Sequence, residues 1–378
     1  MNDKLKVMTI LGTRPEIIRL SRVIARLDEF FNHILVHTGQ NYDFELNEVF
    51  FKEMEIKKPD HFLNADTSTL GSAVGDIIKK SEGVMRQENP DAVLVLGDTN
   101  SCLAAYIAKR LHIPVYHMEA GNRCFDFNVP EETNRRIIDH IADFNLVYTE
   151  HARRHLISEG LPHRRIYLTG SPMNEVLSHY SNKIDSSDVL SKLNLEEGKY
   201  FIVSFHREEN VDNIDNIKSI LKLLNTLAKN YNCPVIVSTH PRTRKKIEAL
   251  GEVSLDARIE FLKPFGFFDY VQLQKKSMCA ISDSGTISEE SAMLSFPAIS
   301  LRNSMERPEA QDSGTIILTG FSESVVVQSI NMVINEHKLG DYKEIPQDYS
   351  IKNTSWRVAK LIVGTAKLSN LWAGIKKD

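Results

Sequence analysis

Lys6-Val7-Met8-Thr9-Ile10-Leu11, running on into Gly12-Thr13-Arg14-Pro15-Glu16, is the stretch whose reading decides the fold. Its first half is an apolar run of strand length, and its second half ends that run in a turn and opens a helix. Gly12 permits a tight turn, and Pro15 suits the first helical position, where a backbone N–H would have no partner. From Glu16 to Phe30 the apolar residues recur at helical spacing. A strand that feeds a helix in this way opens a βαβ unit and a parallel sheet.

The same alternation continues along the chain. Strands are expected at Lys6–Leu11, His33–His37, Ala92–Leu96, Pro114–His117, Asn145–Tyr148 and Arg165–Leu168. Helices such as Glu16–Phe30, Ser101–Leu111, Glu131–Ala142 and His151–Glu159 lie between them. The polar stretch from Ser181 to Lys199 reads as a joint, after which the pattern restarts. Strands then fall at Tyr200–Ser204, Pro234–Ser238, Ile259–Leu262, Met278–Ser282, Ala298–Leu301 and Thr315–Leu318, with helices at Asn213–Asn230, Arg242–Leu250, Phe268–Lys276, Ser288–Leu294 and Glu323–His337. Thr354–Leu371 reads as a final helix. At 378 residues the chain exceeds what one core usually organises. The expected fold is α/β, with two Rossmann-like doubly wound domains facing a central cleft. Residues 1–180, joined by the C-terminal helix 354–378, make the first, and residues 181–353 the second.

Composition narrows the function. Hydrophobic residues at 42% and charged residues at 25% are ordinary for a soluble globular protein. The net charge of -4 argues against a nucleic-acid binder, whose footprint would be a basic field, yet leaves room for a local anion pocket. No apolar run approaches the roughly 20 residues that span a bilayer, and no secretory h-region precedes the first strand. Cys102, Cys124, Cys233 and Cys279 lie far apart, without a C-x-x-C pair. A cytoplasmic protein with reduced cysteines and no membrane partner is expected.

In open α/β sheets ligands bind beyond the carboxyl ends of the strands, so the residues just after each strand matter most. Arg14 follows the first strand at a helix N-terminus, where dipole and guanidinium both favour a phosphate. The plainer reading is a solvated arginine in an ordinary turn. G-x-G-x-x-G and the Walker A lysine loop are absent, which counts against NAD enzymes and P-loop kinases. Asp98 ends the strand Ala92–Leu96 in Leu96-Gly97-Asp98-Thr99-Asn100-Ser101, Glu119 follows the next strand in His117-Met118-Glu119-Ala120-Gly121-Asn122-Arg123, and Glu131 opens a helix in Pro130-Glu131-Glu132. Each acid alone reads as a cap or a first-turn charge. Three at one sheet edge point to acid–base work.

The second half supplies His206 in Ser204-Phe205-His206-Arg207-Glu208-Glu209-Asn210 and His240 in Ser238-Thr239-His240-Pro241-Arg242. Neither belongs to a metal-ligand spacing. Asp283-Ser284-Gly285-Thr286-Ile287-Ser288-Glu289-Glu290 is a small-residue loop entering a helix, whose N–H groups can cradle a phosphate. Glu290 can accept hydrogen bonds from ribose hydroxyls. Leu301-Arg302-Asn303-Ser304-Met305-Glu306-Arg307-Pro308-Glu309 brings cations beside it, or is simply a surface loop.

Taken in order, these motifs together with His37-Thr38-Gly39-Gln40 resemble the non-hydrolysing UDP-N-acetylglucosamine 2-epimerase family over about residues 6 to 320. Any one motif is weak, whereas the ordered set is specific. The resemblance implies a fold like that of two-domain (GT-B type) glycosyltransferases, with UDP held mainly by the second domain, and a homodimer. It implies elimination of UDP to a 2-acetamidoglycal and re-addition with inversion at C2. Asp98, Glu119, Glu131 and His206 match the catalytic residues. Arg14, Ser284, Gly285, Glu290 and Arg307 match nucleotide and phosphate contacts, and Tyr270 falls where an aromatic residue stands near the uracil. The chemistry asks for such a set. The C2 proton is not α to a carbonyl, so the leaving diphosphate must be stabilised while bases flank the ring. NAD, metal and phosphate donor are all unnecessary, and no cofactor is expected.

Departures from the family pattern carry the finer reading. Arg19 stands in place of Lys, Asn122 in place of Leu, and Thr286 and Ser288 in place of Gly and Gln. Gln40 is followed by Asn41-Tyr42-Asp43 rather than by the second Gln of the family's allosteric substrate site, so activation by substrate is not carried over. With Cys124-Phe125-Asp126 and Lys263-Pro264-Phe265-Gly266-Phe267-Phe268-Asp269-Tyr270, they resemble the UDP-N-acetyl-L-fucosamine synthase branch. That branch epimerises UDP-2-acetamido-2,6-dideoxy-L-talose for surface polysaccharide synthesis. Conversion of UDP-N-acetylglucosamine to UDP-N-acetylmannosamine is the nearest competing expectation. A UDP-sugar glycosyltransferase, a hydrolysing epimerase and a silent sugar-nucleotide sensor follow it.

Overall fold

The computed structural model describes residues 4–39, 50–250, 254–340 and 345–375, without the side chains of Glu208 and Glu209. Gln40, Asn41, Tyr42 and Asp43 lie outside the described residues. The chain divides into two units, one formed by Met1–Leu177 with Ser350–Asp378 and the other by Ser178–Tyr349.

The first unit is built on seven parallel strands: β1 (Lys6–Leu11), β2 (Asn32–His37), β3 (His61–Phe62), β4 (Ala92–Leu96), β5 (Val115–Ala120), β6 (Phe144–Val147) and β7 (Ile166–Leu168). Their order is β3-β2-β1-β4-β5-β6-β7. The chain steps outward from β1 to β3 and then returns to the other side of β1, so the switch point lies between β1 and β4. Helices cover the sheet on both faces, which is why β4 and β5 are buried at every position. The helix Arg14–Phe30 turns Ile17, Leu20, Val23, Ile24 and Leu27 inward at helical spacing. Each such buried aliphatic side chain contributes about 1.5–3 kcal/mol. The helix Thr354–Trp372 packs back onto this unit, where Thr365 Oγ1 lies 2.7 Å from the Tyr116 hydroxyl.

The second unit carries six parallel strands: β8 (Phe201–Ser204), β9 (Val235–Ser238), β10 (Ile259–Leu262), β11 (Cys279–Ser282), β12 (Ala298–Ser300) and β13 (Ile317–Leu318). Their order, β10-β9-β8-β11-β12-β13, puts the switch point between β8 and β11. The polar stretch after Ser181 is helical in two short pieces, Ser181–Asp185 and Val189–Lys192, and Val189 is buried with Tyr200 and Ile202. Among the described residues no helix is long and apolar enough to cross a membrane. All four cysteines are free and buried.

Candidate active site

The β1 turn is built around a glycine with no room for a side chain. Thr38 Oγ1 and Ser101 Oγ hydrogen-bond at 2.8 Å directly over Gly12, where an added Cβ would meet those oxygens at 2.1 and 2.2 Å. The helix then begins at Arg14, with Pro15 in its second position rather than the expected first. The Arg14 guanidinium lies 5.6 Å from the centre of the Phe50 ring. Glu16 points back into the turn, and its carboxylate accepts from Gly12 N at 3.1 Å and Thr13 Oγ1 at 2.7 Å.

Gly97, with φ of 74°, ends β4 and delivers Asp98. Arg135 holds Asp98 through Nη2 at 2.6 Å and Nε at 3.0 Å, both on Oδ2. Asp98 remains a quarter exposed. At the end of β5 the register with β6 slips between Met118 and Ala120, and Glu119 takes a left-handed φ of 64°. That bulge re-aims the carboxylate off the strand alternation. It meets Arg19 in an ion pair and accepts from Asn122 Nδ2 at 3.3 Å. An added Cβ at Gly97 would be 3.3 Å from Glu119 Oε2, so the two turns abut. Glu131 is half-buried in the first turn of the helix Pro130–Ile141. Its neighbour Glu132 is fully buried against Arg135, Arg136 and Cys124.

Sequence reasoning missed what lies beneath these turns. His117 Nε2 is 2.7 Å from the Gly97 carbonyl, and Nδ1 is 2.9 Å from Asp139 Oδ1. Asp139 in turn accepts from Gly121 N at 3.2 Å and from Arg123 Nη1 at 2.7 Å. Arg123 also binds Glu159, whose carboxyl is held down at about 2, chiefly by that hydrogen bond. The available signal was the spacing of Arg135 and Asp139 with Ile138, which puts two charges on the buried face of one helix. A buried charge needs partners, so each announced a network.

In the second unit Asp283 organises the β8/β11 edge. Its Oδ2 accepts from the backbone of His206 and Arg207, each at 3.0 Å, and from Asn210 Nδ2 at 2.9 Å. His206 Nδ1 stands 3.3 Å from Asp283 Oδ1, with the imidazole half exposed. His240, by contrast, is an exposed cap that accepts from Arg242 N at 3.3 Å. Ser284 Oγ and Thr286 Oγ1 share a 3.0 Å hydrogen bond ahead of the helix Ile287–Leu294, and Gly285 leaves room beside Arg207. Glu290 accepts from Gln274 Nε2 at 2.8 Å. Tyr270 sets its hydroxyl 2.7 Å from Ser204 Oγ, and burial pushes that phenol above its ordinary value. Arg302, Glu306, Arg307 and Glu309 are all buried, so their segment is not a surface loop. Arg307 Nε meets Glu289 at 2.9 Å, and Glu306 receives both Arg302 at 2.7 Å and Arg207 at 3.3 Å. The structure therefore places Arg14, Arg19, Asp98 and Glu119 at one sheet edge, with Glu131 in the first turn of the helix whose Arg135 holds Asp98, and His206, Tyr270, Ser284, Gly285, Thr286, Glu290 and Arg307 at another. Among the described residues no cluster of three or more His, Cys, Asp or Glu is arranged to hold a metal ion.

Two parallel-sheet units, each with charged residues at its switch point, define a two-domain, GT-B-like α/β enzyme. The model of the UDP-N-acetylglucosamine 2-epimerase family matches residues 25–363. The UDP-N-acetylglucosamine 2-epimerase of Methanococcus maripaludis is 35% identical over 88% of this chain and 93% of its own length. The UDP-2,3-diacetamido-2,3-dideoxy-D-glucuronate 2-epimerase of Pseudomonas aeruginosa is 33% identical over 86% and 91%. A solved UDP-N-acetylglucosamine 2-epimerase from Rickettsia bellii superposes with a TM-score of 0.91 at 46% identity, over 99% of this chain and all of that one. A glycosyltransferase of kitacinnamycin, 9% identical with a TM-score of 0.59, shares the fold alone. This chain belongs to the UDP-N-acetylglucosamine 2-epimerase family and is an isomerase.

Proposed function

We propose that the chain inverts C2 of a UDP-2-acetamido sugar by elimination and re-addition of UDP. A carboxylate takes the C2 proton, the C–H electron pair becomes the C1=C2 bond, and the C1–O bond breaks with its pair leaving on UDP. The diphosphate oxygen then re-adds at C1 of the 2-acetamidoglycal while an acid on the opposite face returns a proton to C2. Asp98, Glu119 and Glu131 serve the proton transfers, and His206, held by Asp283, assists at the leaving group. Arg14, Ser284, Gly285, Thr286 and Arg307 receive the diphosphate, Glu290 the ribose and Tyr270 the base. The observation that carries this reading is that Asp98 and Glu119 end adjacent strands beside the β1/β4 switch point. Product formed in D2O should carry deuterium at C2, and full retention of the original hydrogen would sink the mechanism.

Within that activity, the substrate we propose is UDP-2-acetamido-2,6-dideoxy-L-talose, giving UDP-N-acetyl-L-fucosamine for surface polysaccharide. Arg19 and Asn122 support this choice, because both departures from the family pattern bind the same carboxylate, Glu119. UDP-N-acetylglucosamine is the second reading, favoured by the names of the Rickettsia and Methanococcus relatives. Comparing kcat/KM for the two UDP-sugars under identical conditions decides between them. A cytoplasmic homodimer belongs to the same proposal, and a monomeric mass in solution would remove that part of it.

A further inference from the structure

Glu16 takes no part in the chemistry above, yet it is buried where the two catalytic turns meet. Its Oε2 accepts from Gly12 N and Thr13 Oγ1 on the β1 turn, at 3.1 and 2.7 Å. Its Oε1 accepts from Thr99 Oγ1 on the β4 turn, at 3.1 Å. One side chain thereby ties the turn that carries Arg14 to the turn that carries Asp98, across the switch point. We propose that Glu16 is a positioning residue that fixes the Arg14 and Asp98 turns relative to each other, and that it does so as the ionised carboxylate.

The hydrogen-bonding set suits that form. Gly12 N, Thr13 Oγ1 and Thr99 Oγ1 are all used as donors, which suits a group that only accepts. A proton on Oε1 would reverse the Thr99 bond and one on Oε2 the Thr13 bond, so each hydroxyl would have to turn its own hydrogen away and accept instead. Burial pushes the carboxyl up to about 7, against the lowering effect of the Thr13, Gly12 and Thr99 bonds, so the working form is lost as pH falls through that value. Cys102 faces it from the segment Asn100–Leu103, and its thiol is held high by burial and by the charges of Glu16, Asp98 and Glu119. Arg14 and Arg19 share its helix, and Arg19 is paired with Glu119 on β5.

The test uses the full chain, with Glu16→Gln and Thr99→Val, on whichever UDP-sugar the wild type epimerises. Between about pH 6 and pH 8 the wild-type kcat should fall on the acid side, near 7. Glu16→Gln should lower kcat about 10- to 100-fold and flatten that limb, since displaced catalytic groups lose rate steeply. Thr99→Val cuts only the tie between the turns, and should lower kcat about tenfold while keeping the limb. Wild-type kcat in Glu16→Gln, or an acid limb that survives in it, overturns the proposal. A purely structural Glu16 would lower Tm and leave the pH profile alone. Should Glu16→Gln fail to fold, wild-type kcat in Thr99→Val overturns it instead. The inference rests on the 2-epimerase reading and not on the choice of sugar. If the wild type epimerises neither UDP-sugar, that reading fails by itself. Infrared difference spectra still test Glu16: a protonated-carboxyl band titrating near 7 should vanish in Glu16→Gln, and its persistence overturns the proposal.

Discussion

Arg19, in the helix that follows β1, is ion-paired with Glu119, which stands in a left-handed conformation at the bulge ending β5. The pair is nearly enclosed, so screening by salt is weak and the guanidinium fixes where the carboxylate points. Lysine, the usual family residue here, would offer a compact point charge in place of a planar fork. Arg19→Lys with Asn122→Leu should therefore move Glu119 and shift substrate preference toward UDP-N-acetylglucosamine, on the order of tenfold in the ratio of kcat/KM values. Measuring both sugars on wild type and the double variant checks this. An unchanged ratio would detach these two positions from sugar choice.

Proton transfer and UDP binding should separate between two sets of residues. Asp98→Asn, Glu119→Gln and Glu131→Gln each remove a proton-transfer group while keeping the shape of the side chain. Turnover should fall roughly 100-fold or more, with UDP affinity nearly intact. Arg307→Ala and Glu290→Ala should instead weaken UDP binding measured by calorimetry. Arg307→Ala also removes an ion-pair partner of the buried carboxylate of Glu289, so it should lower Tm as well. Wild-type turnover in Glu119→Gln would return that residue to a purely structural role.

Much of this arrangement was legible beforehand because a parallel sheet writes itself as short apolar runs. β1, β4 and β10 fall on the expected residues, and most other strands lie within one or two. β3 and the helix Leu70–Glu88 left no such trace. β3 has only His61 and Phe62, too few for a period. The helix Leu70–Glu88 buries a narrow stripe of Ala73, Ile77, Ser81 and Met85, and Gly71, Gly75 and Gly83 weaken its local propensity. Side chains that follow strands were readable as a set, since topology brings strand ends together. Asp139, Arg135 and Glu16 were not singled out, because burial turns an ordinary surface-type residue into a structural one, and burial is a tertiary property.

Glycine substitutions should have opposite signs at two places. At Gly12 the Thr38–Ser101 hydroxyl pair occupies the space of a Cβ, so Gly12→Ala must break that bond or displace the turn. A cost of about 1–3 kcal/mol is expected, with loss of activity because Arg14 moves too. Gly83, inside the helix Leu70–Glu88, has open space around it, and Gly83→Ala should stabilise by about 0.5–1 kcal/mol. Thermal unfolding of the two variants against wild type tests both. A neutral Gly12→Ala would contradict the close approach.

Stability should also record the ionisation of Glu16. Its carboxyl rises from the ordinary 4.5 to about 7 on folding, through burial opposed by hydrogen bonds. Between those values the folded chain holds a proton that the unfolded chain has released, so this group makes stability fall as pH rises through the window. Below 4.5 it contributes nothing, and above 7 its full cost, on the order of 3 kcal/mol, is present. Glu16→Gln stays neutral throughout, and its lost hydrogen bonds should weigh about equally at each pH. The difference in unfolding free energy between variant and wild type should therefore move in favour of the variant by about that amount from pH 4.5 to pH 8. Urea unfolding at several pH values measures it directly. A difference independent of pH would mean that the carboxyl ionises at its ordinary value, and that the hydroxyls of Thr13 and Thr99 offset its burial completely.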